Sequence, residues 1–208
     1  MTLIANALTT LARQKAYLEI TSTSKDTLLS VIIGAVSEYI QKTYCHRTFK
    51  RTAYTNELYS GQDNESLYLK NFPVISGQTF TLQYRASGFN DGDWETIDSD
   101  HYFIDYNTGK ITLVGGFVQG TQNYRVSYTA GYYLPTAVTG YSEGADTSLP
   151  VDIEYATWVI VANSFNKRKS RGVSSESVRD VSVTYLKTIT EDAEIKAILD
   201  KYRRRGYR

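Results

Sequence analysis

The stretch YRVSYTAGYYLPTAVTGYSEGADTSLPVDIEYATWVIVANSFNKRK, residues 124–169, decides how the rest of the chain is read. It opens as a strand, breaks at Ala130-Gly131, passes through an irregular loop and closes as an amphipathic helix. Pro150 is expected as the first helical residue, where a missing N–H costs nothing. Asp152 and Glu154 then fall in the first turn, and Lys167, Arg168 and Lys169 close the last, so both ends suit the helix dipole. Val151, Tyr155, Trp158, Ala162 and Phe165 recur at helical spacing, while Ile153, Ile160 and Val161 widen the apolar surface beyond one stripe. Such a helix belongs to a core, or to a core with one face reserved for another subunit.

Before this stretch, a short helix is expected from Thr10 to Leu18, and the hydroxyls of Thr21 to Ser24 are placed to cap the next one. That second helix runs from Asp26 to about Tyr44, with Leu28, Ile32, Ala35, Val36, Tyr39 and Ile40 as its buried face. From Thr48 the chain turns β-rich. Expected strands are Thr48 to Tyr54, Ser66 to Leu69, Gln78 to Arg85, Glu95 to Ile97, Tyr102 to Asp105, Lys110 to Leu113 and Tyr124 to Thr129, in an antiparallel arrangement. Gly88 to Asp93 and Asn107-Thr108-Gly109 read as turns, and Pro73 should start a strand or lie at an edge. Thr136 to Ser148 and Arg171 to Glu176 read as surface loops, Val178 to Tyr185 as a strand, and Thr190 to about Arg203 as a final helix. The fold class is therefore α+β, a small helical bundle from residues 8–46 and 150–208 with an antiparallel β-rich insertion at 47–132, treated as a single domain.

Composition narrows the function. A chain of 208 residues can bury a sizeable core, and a formal net charge of +1 supplies no global field for a polyanion. One cysteine, Cys45, excludes an internal disulfide framework. The N-terminus lacks a signal-peptide pattern and no apolar run is long enough to span a bilayer, so a soluble intracellular product with no membrane partner is expected. Eighteen tyrosines suit interfaces that are partly apolar and partly wet, and they also suit β-sheets.

Candidate chemistry is thin. Asp98, Asp100, His101 and Asp105 offer carboxylates and an imidazole, but Asp-Ser-Asp is good turn chemistry and strand alternation separates the side chains. Cys45 and His46 are adjacent and so point apart. Asn90, Asp91 and Asp93 resemble part of a calcium loop without its ligand ladder. Phosphate-cradling and nucleophile-elbow motifs are absent, so no catalytic residue, metal or cofactor is expected. The dense basic run Lys201-Tyr202-Arg203-Arg204-Arg205-Gly206-Tyr207-Arg208 is suited to docking on an acidic surface, to phosphate contact, or to a solvated terminus.

Taken in order, LARQKAYLEI, DTLLSVIIGAVSEYIQKTYCHRTF, LYLKNFPVIS, DYNTGKITL, VSYTAGY, LPVDIEYATWVIVANSFNKR and RGVSSESVRDVSVTY resemble the head-to-tail connector proteins of long-tailed double-stranded DNA phages. The resemblance covers most of the chain. The regions Gly77 to Phe117 and Thr136 to Ser148 look larger than in compact members. It implies a structural virion protein in the neck, assembled in the host cytoplasm as a ring, dodecameric by analogy. That ring lies beneath the portal protein, extends the channel through which double-stranded DNA passes, and offers a platform to a downstream neck or tail-completion protein. It also implies portal contact by Tyr202, Arg203, Arg204, Arg205 and Arg208. Lys167, Lys169 and Arg171 are candidates to face the channel, and Tyr39, Tyr155 and Trp158 to lie between subunits. Another neck or tail-completion protein is the alternative within phage structure. A carbohydrate-binding or adhesion module, an Arg-tailed nucleic-acid binder and, third, an enzyme are the rivals outside it.

Overall fold

The computed structural model describes residues 3–86, 93–137, 140–143, 145, 147–168, 175–178, 181–184 and 192–204. They sort into two compact units, Met1–Arg47 with Tyr133–Arg203, and Thr48–Tyr132 with Arg204–Arg208.

The first unit is mainly helical. Helix α1, Leu11–Tyr17, starts at Thr10, whose side chain accepts from the Arg13 amide. Helix α2, Asp26–Glu38, begins at Lys25 without a side-chain cap. The expected hydroxyl capping does not occur, since Ser22 and Ser24 are within 3.0 Å of one another instead. Beyond Glu38 the α-helix widens into a π-helical segment, Tyr39–Tyr44, closed by the Cys45 amide on the Ile40 carbonyl. Helix α3, Val151–Lys167, has Pro150 as its cap and not as its first residue. Helix α4, Ala193–Lys201, is capped by Asp192, which accepts from the amides of Glu194 and Ile195.

The buried face of α2 is Leu29, Ser30, Ile33, Gly34, Val36, Ser37, Ile40 and Gln41, whereas Leu28 and Ala35 are exposed and Ile32 and Tyr39 half-buried. The expected face is thus rotated by about one residue, or about 100° on a helix. Both stripes are apolar, and small polar residues decide between them. Ser37 accepts the Leu8 amide, and the Gln41 amide group donates to the carbonyls of Asn6 and Ser37. These bonds tie α2 to the N-terminal segment, an attraction that hydrophobic periodicity alone does not register. Leu8, Leu29, Ile33, Ile40, Ile153, Ile160, Val161 and Leu199 are buried in this unit, each stabilising it by roughly 1.5–3 kcal/mol.

The same unit holds an antiparallel pair of β8, Ser175–Val178, and β9, Val181–Thr184, with Val178 opposite Val181. Of the expected strand Val178 to Tyr185, Val178 belongs to β8 and Val181–Thr184 forms β9, with 179–180 and 185 outside the described residues. Ser175 and Glu176 of the expected Arg171 to Glu176 loop are strand, and 171–174 lie outside the described residues.

The second unit is two antiparallel sheets. One has the order β1-β7-β3-β4, formed by β1, Thr52–Gly61; β7, Gly120–Ala130; β3, Thr81–Tyr84; and β4, Glu95–Thr96. The other has the order β2-β6-β5, formed by β2, Asn64–Tyr68; β6, Lys110–Phe117; and β5, Tyr102–Asp105. Residues two apart on each strand share a face, and the inner faces merge into one core of Tyr59, Leu67, Leu82, Ile111, Leu113, Phe117, Tyr124, Val126 and Tyr128. The strands β1, β6 and β7 extend well past their expected ends, because polar positions such as Asn56, Glu57 and Gln122 sit on outer faces or at the bulge between Tyr54 and Glu57. Asp105 builds the Asn107-Thr108-Gly109 turn by accepting from the amides of Asn107 and Thr108 and the Thr108 hydroxyl. Pro73 follows a cis peptide and precedes Val74, which bridges to Ala130. Of the expected turn Gly88 to Asp93, residues 88–92 lie outside the described residues.

Gly131 ends β7 with φ +103°, and a Cβ there would lie 2.7 Å from the carbonyl oxygens of Phe49 and Lys50. The break read from Ala130-Gly131 is thus a position that needs glycine both for its backbone angle and for the close approach of a second chain segment.

Candidate functional site

Helix α3 presents two stripes with different fates. Ile153, Ala156, Thr157, Ile160, Val161 and Phe165 are buried, while Val151 is 43% exposed and Tyr155, Trp158 and Ala162 are half-buried. The second stripe is only partly covered from within the unit. Tyr17 stacks on Trp158 at 5.8 Å between ring centroids, and the Trp158 indole N–H donates to the Thr9 hydroxyl at 2.7 Å. The phenol of Tyr17 is raised by burial, with Tyr155 adding to the shift, so Tyr17, Tyr155 and Trp158 form one neighbourhood. Tyr39 is half-buried at the start of the π-helical segment and shares no hydrogen bond or ring contact with them among the described residues. On α2, Val31 is 51% exposed and Leu28 37%.

Beneath this stripe is a polar cluster that the sequence did not announce. Glu154 is fully buried. Its carboxylate accepts from the Thr9 hydroxyl at 2.8 Å and from Arg13 Nη2 at 2.9 Å, with Tyr141 Oη at 3.5 Å. Arg13 also pairs with Glu143 at 3.1 Å and lies over the rings of Trp158 and Tyr141. Burial raises the Glu154 carboxyl, and the bonds from Thr9 and Arg13 oppose that shift without cancelling it. The Arg13 guanidinium is held above its ordinary value, first by Glu143. The cluster fastens the N-terminal segment and part of the 136–148 loop onto α3. Thr9 and Arg13 lie 130 to 145 residues from the Glu143 and Glu154 carboxylates they meet, which is why no local spacing points to them.

In the same first turn of α3, Asp152 anchors α4. Tyr202 Oη donates to both Asp152 oxygens, at 2.8 and 3.0 Å, and Lys201 lies 3.3 Å from the same carboxylate. Tyr44 donates to Asp200 at 2.8 Å, and Arg203, itself exposed, lies 5.9 Å from the centre of the Tyr44 ring. Burial and the Asp200 bond push the Tyr44 phenol up to about 12. Of the basic tail, Tyr202 is therefore engaged at its root, Arg203 is displayed, Arg204 is half-buried, and Arg205 and Arg208 lie outside the described residues. Lys167 is half-buried in the last turn of α3; Lys169 and Arg171 lie outside the described residues.

Among the residues that invite an enzymatic reading, the side chains of Asp98, Asp105 and Cys45 are engaged in local structure. Asp98 accepts the Asp100 amide in the 3-10 turn Ser99–His101, and Asp105 is spent on its own turn. Cys45 is buried, its thiol pushed up to about 12 by burial, with Sγ 3.8 Å from the Leu199 carbonyl. Among the described residues, no group of three His, Cys, Asp or Glu is placed to hold a metal ion, and no helix is long and apolar enough to cross a membrane.

Comparison with known proteins adds to this geometry. Among solved structures, the chain is similar to one described as the neck of an empty GTA particle computed with C6 symmetry. The match has a TM-score of 0.56 and 13% identity, and covers 100% of this chain and 95% of that one. A comparison with curated proteins returns no match. The model of the head completion protein family matches residues 7–205, and the chain belongs to that family.

Proposed function

We propose that the protein forms a ring beneath the portal vertex of a phage particle, extends the DNA channel and joins the head to the tail or neck. Membership of the head completion protein family supports a structural, non-enzymatic role. The observation that carries the ring is the second stripe of α3, where Val151, Tyr155 and Trp158 stay partly uncovered, together with the exposed Val31 and Leu28 of α2. A closed ring needs two different patches per subunit, and these helices supply candidates for both. The likeness to a neck chain treated with C6 symmetry supports a ring whose copy number is a multiple of six, twelve included.

In this reading the helices act as the small bundle of a single connector domain, with the β unit inserted between them. Tyr202 fixes the root of the basic tail, and Arg203, Arg204, Arg205 and Arg208 reach the portal. Lys167, Lys169 and Arg171 face the channel, where a net charge of +1 lets the duplex pass without being retained. Subunits are assembled in the host cytoplasm and reside in the neck of the virion.

Co-expression with the portal protein, followed by electron microscopy of the purified complex, tests the reading. Ring density at the portal is expected, and its absence overturns the assignment. Density lower in the neck without portal contact favours the alternative, a tail-completion or other neck protein. Val151→Asp sharpens the interface claim: the monomer's stability should change by less than about 0.5 kcal/mol while ring formation is lost.

A further inference from the structure

The outer face of β2-β6-β5 holds a cleft that the ring reading does not use. Leu67, Ile104, Ile111 and Leu113 point into the core, and alternation turns Ser66, Thr112 and Phe103 outward on one rung, since Thr112 pairs with both of the others. Phe103 is 70% exposed and Val114, on the same face of β6, 73%. These are the two most exposed large hydrophobic side chains in the described residues. Asp63, Glu65 and Asp100 line the same cleft. None of the three is in an ion pair among the described residues, whereas Asp26, Glu38, Asp152 and Asp200 each face a lysine.

An isolated exposed phenylalanine needs no explanation. Two raised apolar side chains flanking Thr112, rimmed by carboxylates that form no ion pair among the described residues, specify an occupant with an apolar anchor and basic flanks. β5 is also the end strand of its sheet, and an end strand can accept a further extended segment. A DNA duplex is repelled by the same carboxylates, and a second copy set two-fold against this face would oppose acid to acid.

We infer that this cleft docks an extended segment of a different neck protein. An apolar side chain of that segment seats between Phe103 and Val114, and neighbouring lysines or arginines meet Asp63, Glu65 and Asp100. The apolar contact supplies affinity, and the charges supply register and selection against wrong partners. The inference rests on the proposed place in the neck and names the face turned to the next component.

The test uses whole particles assembled with Phe103→p-benzoylphenylalanine, irradiated, digested and analysed by mass spectrometry. The expected product is a peptide from another neck protein with Lys or Arg within three residues of the attachment point. A peptide from this chain's own basic tail, one lacking basic neighbours, or no product from tailed particles overturns the inference. In parallel, the D63N/E65Q/D100N variant of the full chain should form rings with the portal as the wild type does, while tail-bearing particles fall at least tenfold. Undiminished tail joining overturns the docking face and leaves the ring reading standing. Loss of the portal ring in this variant also overturns it, because the cleft would then lie between subunits. The ring reading itself fails separately, if the wild-type chain gives no ring at the portal.

Discussion

The two units each gather hydroxyls and a cation around one carboxylate, and they do so by opposite routes. In the β unit, Glu57 accepts from Tyr59 at 2.5 Å and Tyr128 at 2.6 Å, with Lys70 at 3.4 Å. Glu57 and Tyr59 are on β1, and Tyr128 is on the strand paired with it, so sheet register alone brings the three together. In the helical unit, Glu154 draws Thr9 and Arg13 from the distant N-terminal segment and Tyr141 from the loop before its own helix. The first cluster is a by-product of its sheet. The second holds segments that have no ladder to hold them.

Removing the two carboxylates should therefore not cost the same. Glu154→Ala leaves Arg13 beside an emptied buried site with Glu143 as its remaining partner, and should destabilise the protein by about 3 kcal/mol, at the low end for breaking a buried pair. Urea denaturation followed by circular dichroism at 222 nm checks it; a loss near zero would show that the cluster is incidental. Glu57→Ala should cost less, about 1–2 kcal/mol, because the Tyr59 and Tyr128 hydroxyls remain 3.3 Å apart and the Lys70 amide still donates to Tyr59. An equal or larger loss than at Glu154 would erase the contrast.

A pH series sharpens it further. The folded state raises the Glu154 carboxyl, so it holds a proton where the unfolded chain has released one. That contribution favours the fold below the unfolded value of about 4.3 and is lost as pH rises through the folded value. The stability of wild type relative to Glu154→Gln should therefore increase as pH is lowered from about 7 toward that range. An opposite slope would mean that Arg13 outweighs burial. The smallest effect belongs to Glu143→Gln, whose side chain is 57% exposed. Its loss should stay within about 1 kcal/mol, as for other exposed pairs.

Much of this architecture could be read from the chain. The strong periodicity of α3, the glycine break at 131 and the alternation of β6 and β7 all mark elements by nearest-neighbour chemistry. What could not be read was set at a distance. The face of α2 turns on Ser37 and Gln41 meeting the segment around Asn6 and Leu8. Glu154 looked like a first-turn acid placed for the helix dipole, and the structure buries it. The cleft at Phe103 escaped notice because an exposed aromatic on a strand is indistinguishable, in sequence, from one facing the core.

Asp152 has a consequence for the order of events during synthesis. Apart from Arg204–Arg208, the β unit is one continuous segment, Thr48–Tyr132, whereas the helical unit is split to either side of it. A ribosome therefore releases everything the sheets need before α3 has emerged, and the β unit can fold while α1 and α2 still wait for their partners. The bonds from Tyr202 and Lys201 to Asp152 form only after α4 is made. In a nascent chain, closure of the helical unit is thus a late step.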